Sequence, residues 1–536
     1  MRVLTHFSLE NFRLFKEKTS FDLTPITILT GTNSSGKSSL IKAILLLKSN
    51  LEKNKSIEEI DFSIGDHNLN DFKNSLNYDS TSNKMYFTFS SYVSDLIGVH
   101  YIELGYILSM SDDSKGNLDS FTIFTPKGDV ILSATKEYDD DGGNITYKID
   151  VGYFIKNLDH EVLNTNIKKE IYDNPYERWV QKYWLNPNDE LFHGRPDSHE
   201  SEVYFNVLDE LKNNGIRKQI GGTKDESKHF NQSILYGLSD LGKEVIEWLE
   251  LNLNNKNADF KRTDFGEFFY EDFSRWILKE SIKQIFHNFN SILHFSSIRS
   301  DSKKYYNKDD KELLSFFIQY ENESSNFNQE IEEFIASQLR AFSLGDAIKI
   351  VPYKDFLAEV FVIRNGKKIL LSDLGYGYTQ ILPIIMRIAL IAHRTLRNDP
   401  FDFTLDDEPK RLVYDGSLFL LEEPESNLHP AYQSKIADMI AYASSKFKIR
   451  FIIETHSEYL IRNLQFLIAK GKILNSNQVT IYYFNKPGTD EAEDSLFRTI
   501  HVEPNGRMTV GFGSGFFDEA ESIAFDLFML NQNRQN

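Results

Sequence analysis

The sequence predicts an α/β fold: a mixed sheet with an antiparallel β-lobe, interrupted by a helical insertion. Three observations predict it. The run FDLTPITILT (21–30) leads through a Gly- and Ser-rich loop into KSSLIKAILLLK (37–48), an amphipathic stretch, and reads as strand, loop, helix. Residues 84–155 alternate β-rich runs such as MYFTF and HYIELGYIL with turn clusters such as SDDSKGN, as an antiparallel meander does. From residue 291 onward, apolar runs (ILHFSSI, AEVFVI, SLFLLE, FKIRFIIE) alternate with helical stretches at Tyr378–Arg394, Ala431–Ser445 and Ser457–Ala469, the pattern of a buried, largely parallel sheet.

Taken in order, residues 1–155 form the first half of one domain, with short strands at 1–9 and 21–30 followed by the helix and the meander. Residues 156–290 change character. Patterns such as LGKEVIEWLELNL and DFSRWILKESIKQIFHNF are helical, and heptads do not persist over several repeats, so this block reads as a compact helical insertion and not a coiled-coil arm. Residues 291–483 return to the first domain, and 484–536 form a C-terminal extension.

The chain has 536 residues with 40% hydrophobic content, enough to fill several cores. It has no cysteine, which excludes disulfides, thiolate metal sites and a Cys nucleophile. A net charge of −19 argues against a surface coated in nucleic acid, because phosphate binding is dominated by Lys and Arg. Residues 1–50 nevertheless carry seven Lys/Arg against three Asp/Glu, so an anion is expected at this end. The insertion has 18 basic and 24 acidic residues and the extension from 484 has four and nine, which suits a protein partner better than DNA. MRVLTHFSLENF lacks the features of a secretory signal, and the longest apolar stretch, Ile381–Ala392, is broken by Arg387 and falls short of the roughly 18–20 residues of a membrane span. A soluble, cytoplasmic protein with no membrane partner is expected.

The chemistry concentrates in three places. Gly31-Thr-Asn33-Ser34-Ser35-Gly36-Lys37-Ser38-Ser39 fits GxxxxGK[ST] between a strand and a helix. Glycines let the loop curl so that backbone N–H groups and the helix N-terminus face a polyphosphate; Lys37 reaches the β and γ phosphates and Ser38 offers a hydroxyl to Mg²⁺. Ser417-Leu-Phe-Leu-Leu-Glu422-Glu423-Pro424 is an apolar strand ending in two carboxylates, which assigns Glu422 to magnesium and Glu423 to the catalytic base. Phe451-Ile-Ile-Glu-Thr455-His456-Ser457 is a second buried strand ending in a polar loop, whose histidine can bond the γ-phosphate or the attacking water.

Together these residues resemble the ABC-type P-loop ATPases of the SMC, RecF and "overcoming lysogenization defect" group, over roughly 1–155 and 291–483. The fold that the resemblance implies is an ABC-type ATPase head. The family's signature LSGGxxQ is matched in degraded form by Leu374-Gly375-Tyr376-Gly377-Tyr378-Thr379-Gln380, and its D-loop by Ser426-Asn427-Leu428-His429. The resemblance implies ATP and Mg²⁺ as ligands, held between one protomer's Lys37 loop and its partner's Gly375, Gly377 and Gln380, in a homodimer or higher homo-oligomer. Two departures, glycine at 375 for the usual serine and Glu422 for the usual aspartate, imply slow turnover. Gly65–Lys73, Ile298-Arg299, Asn505-Gly506-Arg507 and Gly515-Phe516-Phe517-Asp518 are similar to landmarks of the defence-associated branch, which implies a sensor or scaffold beside a separately encoded nuclease or toxin.

No nuclease is expected in the chain itself. Neither a Toprim pattern nor an HNH pattern follows the histidine loop. Asp139–Asp141 and Asp406–Glu408 read as solvated turns. The RxxxxxH spacing of Arg387–His393 is similar to a loose pattern of certain ribonucleases but lies inside a helix and reads as a chance match. The best candidate nucleic-acid contact is the basic loop 212–228 (Lys212, Arg217, Lys218, Lys224, Lys228), diluted by Asp225 and Glu226. A RecF-like DNA-repair ATPase and a non-hydrolysing nucleotide-dependent interaction module stand as alternatives.

Overall fold

The structure, a computed structural model, describes residues 4–65, 67, 69–94, 98–110, 112–139, 142–150, 219–225, 284–296, 303, 305–307, 311–353, 357–397, 417–485 and 495–513. The chain divides into two compact units: Met1–Thr5, Phe21–Lys48 and Asn290–Asn536 form one, and His6–Ser20 with Ser49–Phe289 the other.

The second unit is built on an antiparallel sheet of β1 (His6–Glu10), β2 (Thr19–Asp22), β4 (Glu59–Asp61), β5 (Lys84–Ser94), β6 (Gly98–Leu108), β7 (Lys115–Phe124), β8 (Val130–Asp139), β9 (Gly142–Asp150) and β10 (Gln219–Asp225). Strands β5 to β9 follow one another as a meander, as the sequence predicts, with β1 beside β5 and β10 beside β9. Burial alternates along β7, and Phe7, Phe87, Phe89 and Phe121 fill the apolar face. Within 156–290, residues 219–225 are a strand that extends the meander, and 284–290 are helical. The strand takes in part of the 212–228 basic segment, and the other helical patterns of the insertion lie outside the described residues, as do Ile298-Arg299, Gly515–Asp518, Asp140-Asp141 and Asp406–Glu408.

The first unit holds the chemistry. Its six-stranded sheet runs in the order β11 (Ile292–Phe295), β16 (Leu418–Glu422), β17 (Arg450–Glu454), β3 (Ile26–Gly31), β18 (Val479–Phe484) and β19 (Phe497–His501), with the first five parallel and β19 antiparallel. ITILTG and VTIYYF are buried at every residue, which suits strands covered on both faces. The predicted strand at 21–30 is two strands, because Thr24-Pro25 interrupts it: Pro25 has no N–H to give a ladder. Helices are α1 (Lys37–Asn54), α2 (Lys311–Ser324), α3 (Gln329–Ala341), α4 (Tyr376–Arg397), α5 (Pro430–Phe447) and α6 (Glu458–Lys470). His429 caps α5 with Pro430 at its first position, and Ser457 caps α6 while Gly471 closes it in the left-handed region.

A smaller four-stranded sheet, β12 (Tyr306–Asn307), β13 (Ala347–Tyr353), β14 (Leu357–Arg364) and β15 (Lys367–Leu370), precedes α4; only its β14 is visible in the sequence as an apolar run. Helix α4 carries the longest apolar stretch and belongs to the core. Arg387 interrupts that stretch at a partly exposed position, its guanidinium lying 4.2 Å from the Phe316 ring centroid and 5.4 Å from that of Phe295. His393 is buried beside Phe327. No helix among the described residues is long and apolar enough to cross a membrane.

Candidate nucleotide site

Strand β3 delivers the chain to Gly31, whose φ of +130° and position against Phe484 leave no room for a side chain: a Cβ there would lie 2.2 Å from the Phe484 carbonyl. The loop then turns through Ser34 (φ 61°) and Gly36 (φ 101°) into α1. The Ser35 hydroxyl donates to the Thr32 carbonyl at 2.7 Å, and Ser39 N–H donates to the Gly36 carbonyl at 2.9 Å. Lys37 is 4% exposed, and its ammonium donates to the carbonyls of Gly31 (3.2 Å) and Thr32 (2.5 Å). Burial holds that ammonium below the ordinary lysine value, opposed by the charges of Glu454 and Glu423. The first-turn N–H groups of α1 have no intrahelical acceptors, and Thr30 and Thr32 hydroxyls are buried without partners. Asn33 and Ser34 are at the outer bend of the same loop. The arrangement can bind a polyphosphate by backbone N–H groups, a helix N-terminus and one ammonium.

The order of strands decides which acid faces this loop. Strand β17 lies between β3 and β16, and Glu454 at its end pairs in register with Leu29 of β3 on one side and with Glu422 of β16 on the other. Neighbouring strands are about 4.8 Å apart, so Glu454 is one strand from the loop and Glu422 two. The Ser38 hydroxyl accordingly donates to Glu454 Oε1 at 2.8 Å, across 416 residues of sequence. Glu454 is buried and its Oε2 has no partner. Burial pushes its carboxyl up; the Ser38 hydrogen bond and Lys37 oppose this, while Glu422 and Glu423 add to it. Glu422, assigned to magnesium from the sequence, meets His294 of β11, Oε1 to Nε2 at 2.8 Å.

Glu423 follows with a φ of +43°, unusual for a non-glycine residue. Its N–H donates to the Glu454 carbonyl at 2.7 Å, and its Oε2 accepts from the Ser426 hydroxyl at 2.9 Å. Glu425 turns inward, 8% exposed, and accepts the His456 backbone N–H at 2.7 Å. Burial raises this carboxyl too, against the hydrogen bonds it accepts. The His456 side chain reaches solvent. Desolvation and then Lys37 hold it below the ordinary histidine value, with Glu423 opposing, so it is neutral at pH 7.

Lys37, Ser38, Glu423 and His456 thus come together, joined by Glu454, Glu425 and His294, for which the sequence assigns no role. The signal for Glu454 was present in ETHS, but its meaning depends on strand order. Leu371–Leu374 form a 3₁₀ turn, Gly375 (φ +90°) breaks it, and α4 begins at Tyr376. Gly377 abuts the D-loop: a Cβ would meet the Asn427 carbonyl at 2.8 Å. Gln380 is fully buried and Gly375 is open on its side-chain side. In Gly65–Lys73, Gly65 (φ +88°) approaches Ser49, and the Asp71 carboxylate accepts the Asn74 N–H at 2.6 Å.

Comparisons with solved structures give similarity to SMC head domains. The Smc head with an extended coiled coil, bound to the C-terminal domain of ScpA, from Pyrococcus furiosus shares 12% identity at a TM-score of 0.36, over 98% of this chain and 100% of that one. The SMC head domain from Thermotoga maritima shares 11% at 0.32, over 90% and 94%. No curated protein matches the sequence. A family model described as "Protein of unknown function (DUF3696)" matches residues 474–527. The model described as "AAA ATPase domain" (AAA_15) matches residues 3–461, spanning the phosphate loop, the double acid and the histidine loop, and the chain belongs to that family.

Proposed function

We propose that the chain binds ATP at the Gly31–Ser39 loop and hydrolyses it slowly. The observation that carries this is the convergence of Lys37, Ser38, Glu423, Glu454 and His456 at the ends of three adjacent parallel strands. Lys37 exchanges its loop carbonyls for β and γ phosphate oxygens, and the α1 N-terminus takes the remaining charge. Glu423, held by Ser426, orients and deprotonates the attacking water, and neutral His456 hydrogen-bonds the γ-phosphate or that water. Mg²⁺, when bound, would neutralise charge on the phosphates, and the Ser38 hydroxyl and the Glu422 carboxylate would hold it.

Gly375 offers no hydroxyl to a phosphate, which supports slow turnover and a switch in place of a pump. ATP-dependent pairing of two copies through the Gly375–Gln380 segment follows from the family resemblance in the sequence, as does a role as sensor or scaffold for a separately encoded effector in anti-phage defence. The acidic extension after 484 supports a protein partner for that role.

Three measurements test the reading. Lys37→Ala is expected to weaken ATP binding by about tenfold or more, since charge-assisted hydrogen bonds are lost. Glu423→Gln is expected to keep ATP binding and lower turnover by roughly 10²–10⁴-fold. Sedimentation of Glu423→Gln with and without Mg-ATP reads out pairing: an unchanged monomer rules out the ATP-linked dimer. Wild-type turnover undiminished in Lys37→Ala rules out the site.

A further inference from the structure

We propose that Glu425 is a positioning residue: its carboxyl group sets where His456 stands relative to Glu423. The inference rests on the ATP reading above and adds how the histidine of that site is held. No hydrogen bond to the His456 ring is formed among the described residues, so the ring stands where its main chain puts it. That main chain is fastened at three consecutive residues. Thr455 N–H donates to the Leu29 carbonyl of β3 at 3.0 Å, His456 N–H to Glu425 Oε1 at 2.7 Å, and the Ser457 hydroxyl to Gln433 Oε1 of α5 at 2.7 Å. The outer two links go to the sheet and to a helix. The middle one goes to the turn that carries Glu423, and a side chain makes it across 31 residues of sequence.

A carboxyl that is 8% exposed gives up its hydration, a cost that a polar side chain on a solvated turn does not meet. The side chain is long enough to cross from the end of β16 to the loop after β17, and when ionised it makes a charge-assisted bond there. The turn itself is braced. Ser426 N–H donates to the Glu423 carbonyl and Leu428 N–H to that of Glu425, both at 3.0 Å, while the Ser426 hydroxyl donates to Glu423 Oε2 at 2.9 Å. Glu423 and Glu425 therefore move together, and the bond from His456 N–H makes the histidine loop follow them. The proposed base and the histidine keep one spacing, which both need to meet the same water. The role requires an acceptor and not a charge, because the carbonyl oxygen of a neutral carboxyl or of an amide accepts the same N–H. Glutamine can replace Glu425 in it, and leucine, of similar size, cannot.

The test uses the full chain with Mg-ATP and compares kcat with the affinity for a non-hydrolysable ATP analogue. Glu425→Leu is expected to lower kcat by about tenfold or more and to keep analogue affinity within about threefold of wild type. Glu425→Gln is expected to keep kcat within about threefold. In a His456→Ala background, Glu425→Leu is expected to cost nothing further, since the group it positions is gone. An equal loss of kcat in both backgrounds overturns the proposal. So does wild-type kcat in Glu425→Leu, or a fall in Glu425→Gln as large as in Glu425→Leu. Should Glu425→Leu not fold by circular dichroism, Glu425→Asp decides: it keeps the charge but withdraws the acceptor from His456 N–H, and undiminished kcat overturns the proposal. A wild type without turnover, or a Lys37→Ala variant that binds the analogue equally well, defeats the ATP reading itself. Hydrogen exchange at the Thr455–Ser457 amides then judges the positioning alone: exchange faster in Glu425→Leu than in wild type and Glu425→Gln supports it, and equal exchange in all three overturns it.

Discussion

Glu425 is a carboxyl enclosed by protein, and its titration bears on stability. Burial raises its folded value above the ordinary 4.5, so in the window above 4.5 the folded chain holds a proton that the unfolded chain releases. Stability from this group is therefore present below the unfolded value and falls as pH rises towards the folded value, then levels. Glu425→Gln removes the slope. Urea midpoints of wild type and variant are expected to diverge in the variant's favour from pH 4.5 upward, and parallel curves would show that Glu425 does not titrate in this range. Glu423, two positions earlier, pays a conformational cost of about 1–3 kcal/mol for its left-handed backbone, offset by the Glu454 carbonyl and Ser426 hydroxyl that fix it. These residues divide by legibility. Lys37 and Ser38 could be read directly because the loop's chemistry lies on consecutive positions. Glu454 could not, because its partner Ser38 is 416 residues distant and only the β3–β17 pairing brings them together. His294 was invisible for the same reason, being a strand residue whose importance comes from a neighbour in the sheet.

At the scale of elements, the Ser426–His429 loop and the start of α4 are packed with backbone close against backbone at Gly377 and Asn427. Gly377 is not in the left-handed region, so its need for glycine is one of space: the Asn427 carbonyl occupies the place of a Cβ. Gly377→Ala is expected to lower the midpoint of thermal unfolding, at a cost of about 1–3 kcal/mol, and to displace the loop that carries Asn427. Gly375→Ala meets no atom, and its cost arises from φ alone, about 1 kcal/mol, so it is the milder change. A reversed order of the two midpoints would contradict the packing. Helices α1, α4, α5 and α6 and the parallel strands β3, β11, β16 and β17 were readable because apolar runs and helical periodicity mark them, whereas α2, α3 and β18 were not singled out. The four-stranded sheet was not: β13, AIKIVPY, buries only Ile350 fully, and β15 is short and charged, so neither stands out from a loop. The strand β10, QIGGTKD, has almost no apolar signal and is defined by its pairing with β9.

For the whole molecule, charge and chain path matter most. With a net −19, the protein is expected to leave duplex DNA unshifted in a mobility assay at physiological salt; retention there would revive the RecF-like alternative. The unit that holds the nucleotide site is assembled from separated stretches of chain, and its central strand β3 has both of its sheet neighbours, β17 and β18, near the other end of the sequence. Asp22 and its partner Tyr482 are 460 residues apart. On the ribosome, at roughly 5–20 residues per second, Gly31 and Lys37 emerge tens of seconds before the strands that will flank them. The meander strands emerge in the interval and pair locally. Nascent chains stalled before β17 therefore cannot close the sheet around the phosphate loop, and ATP can stabilise the protein only once synthesis is nearly complete.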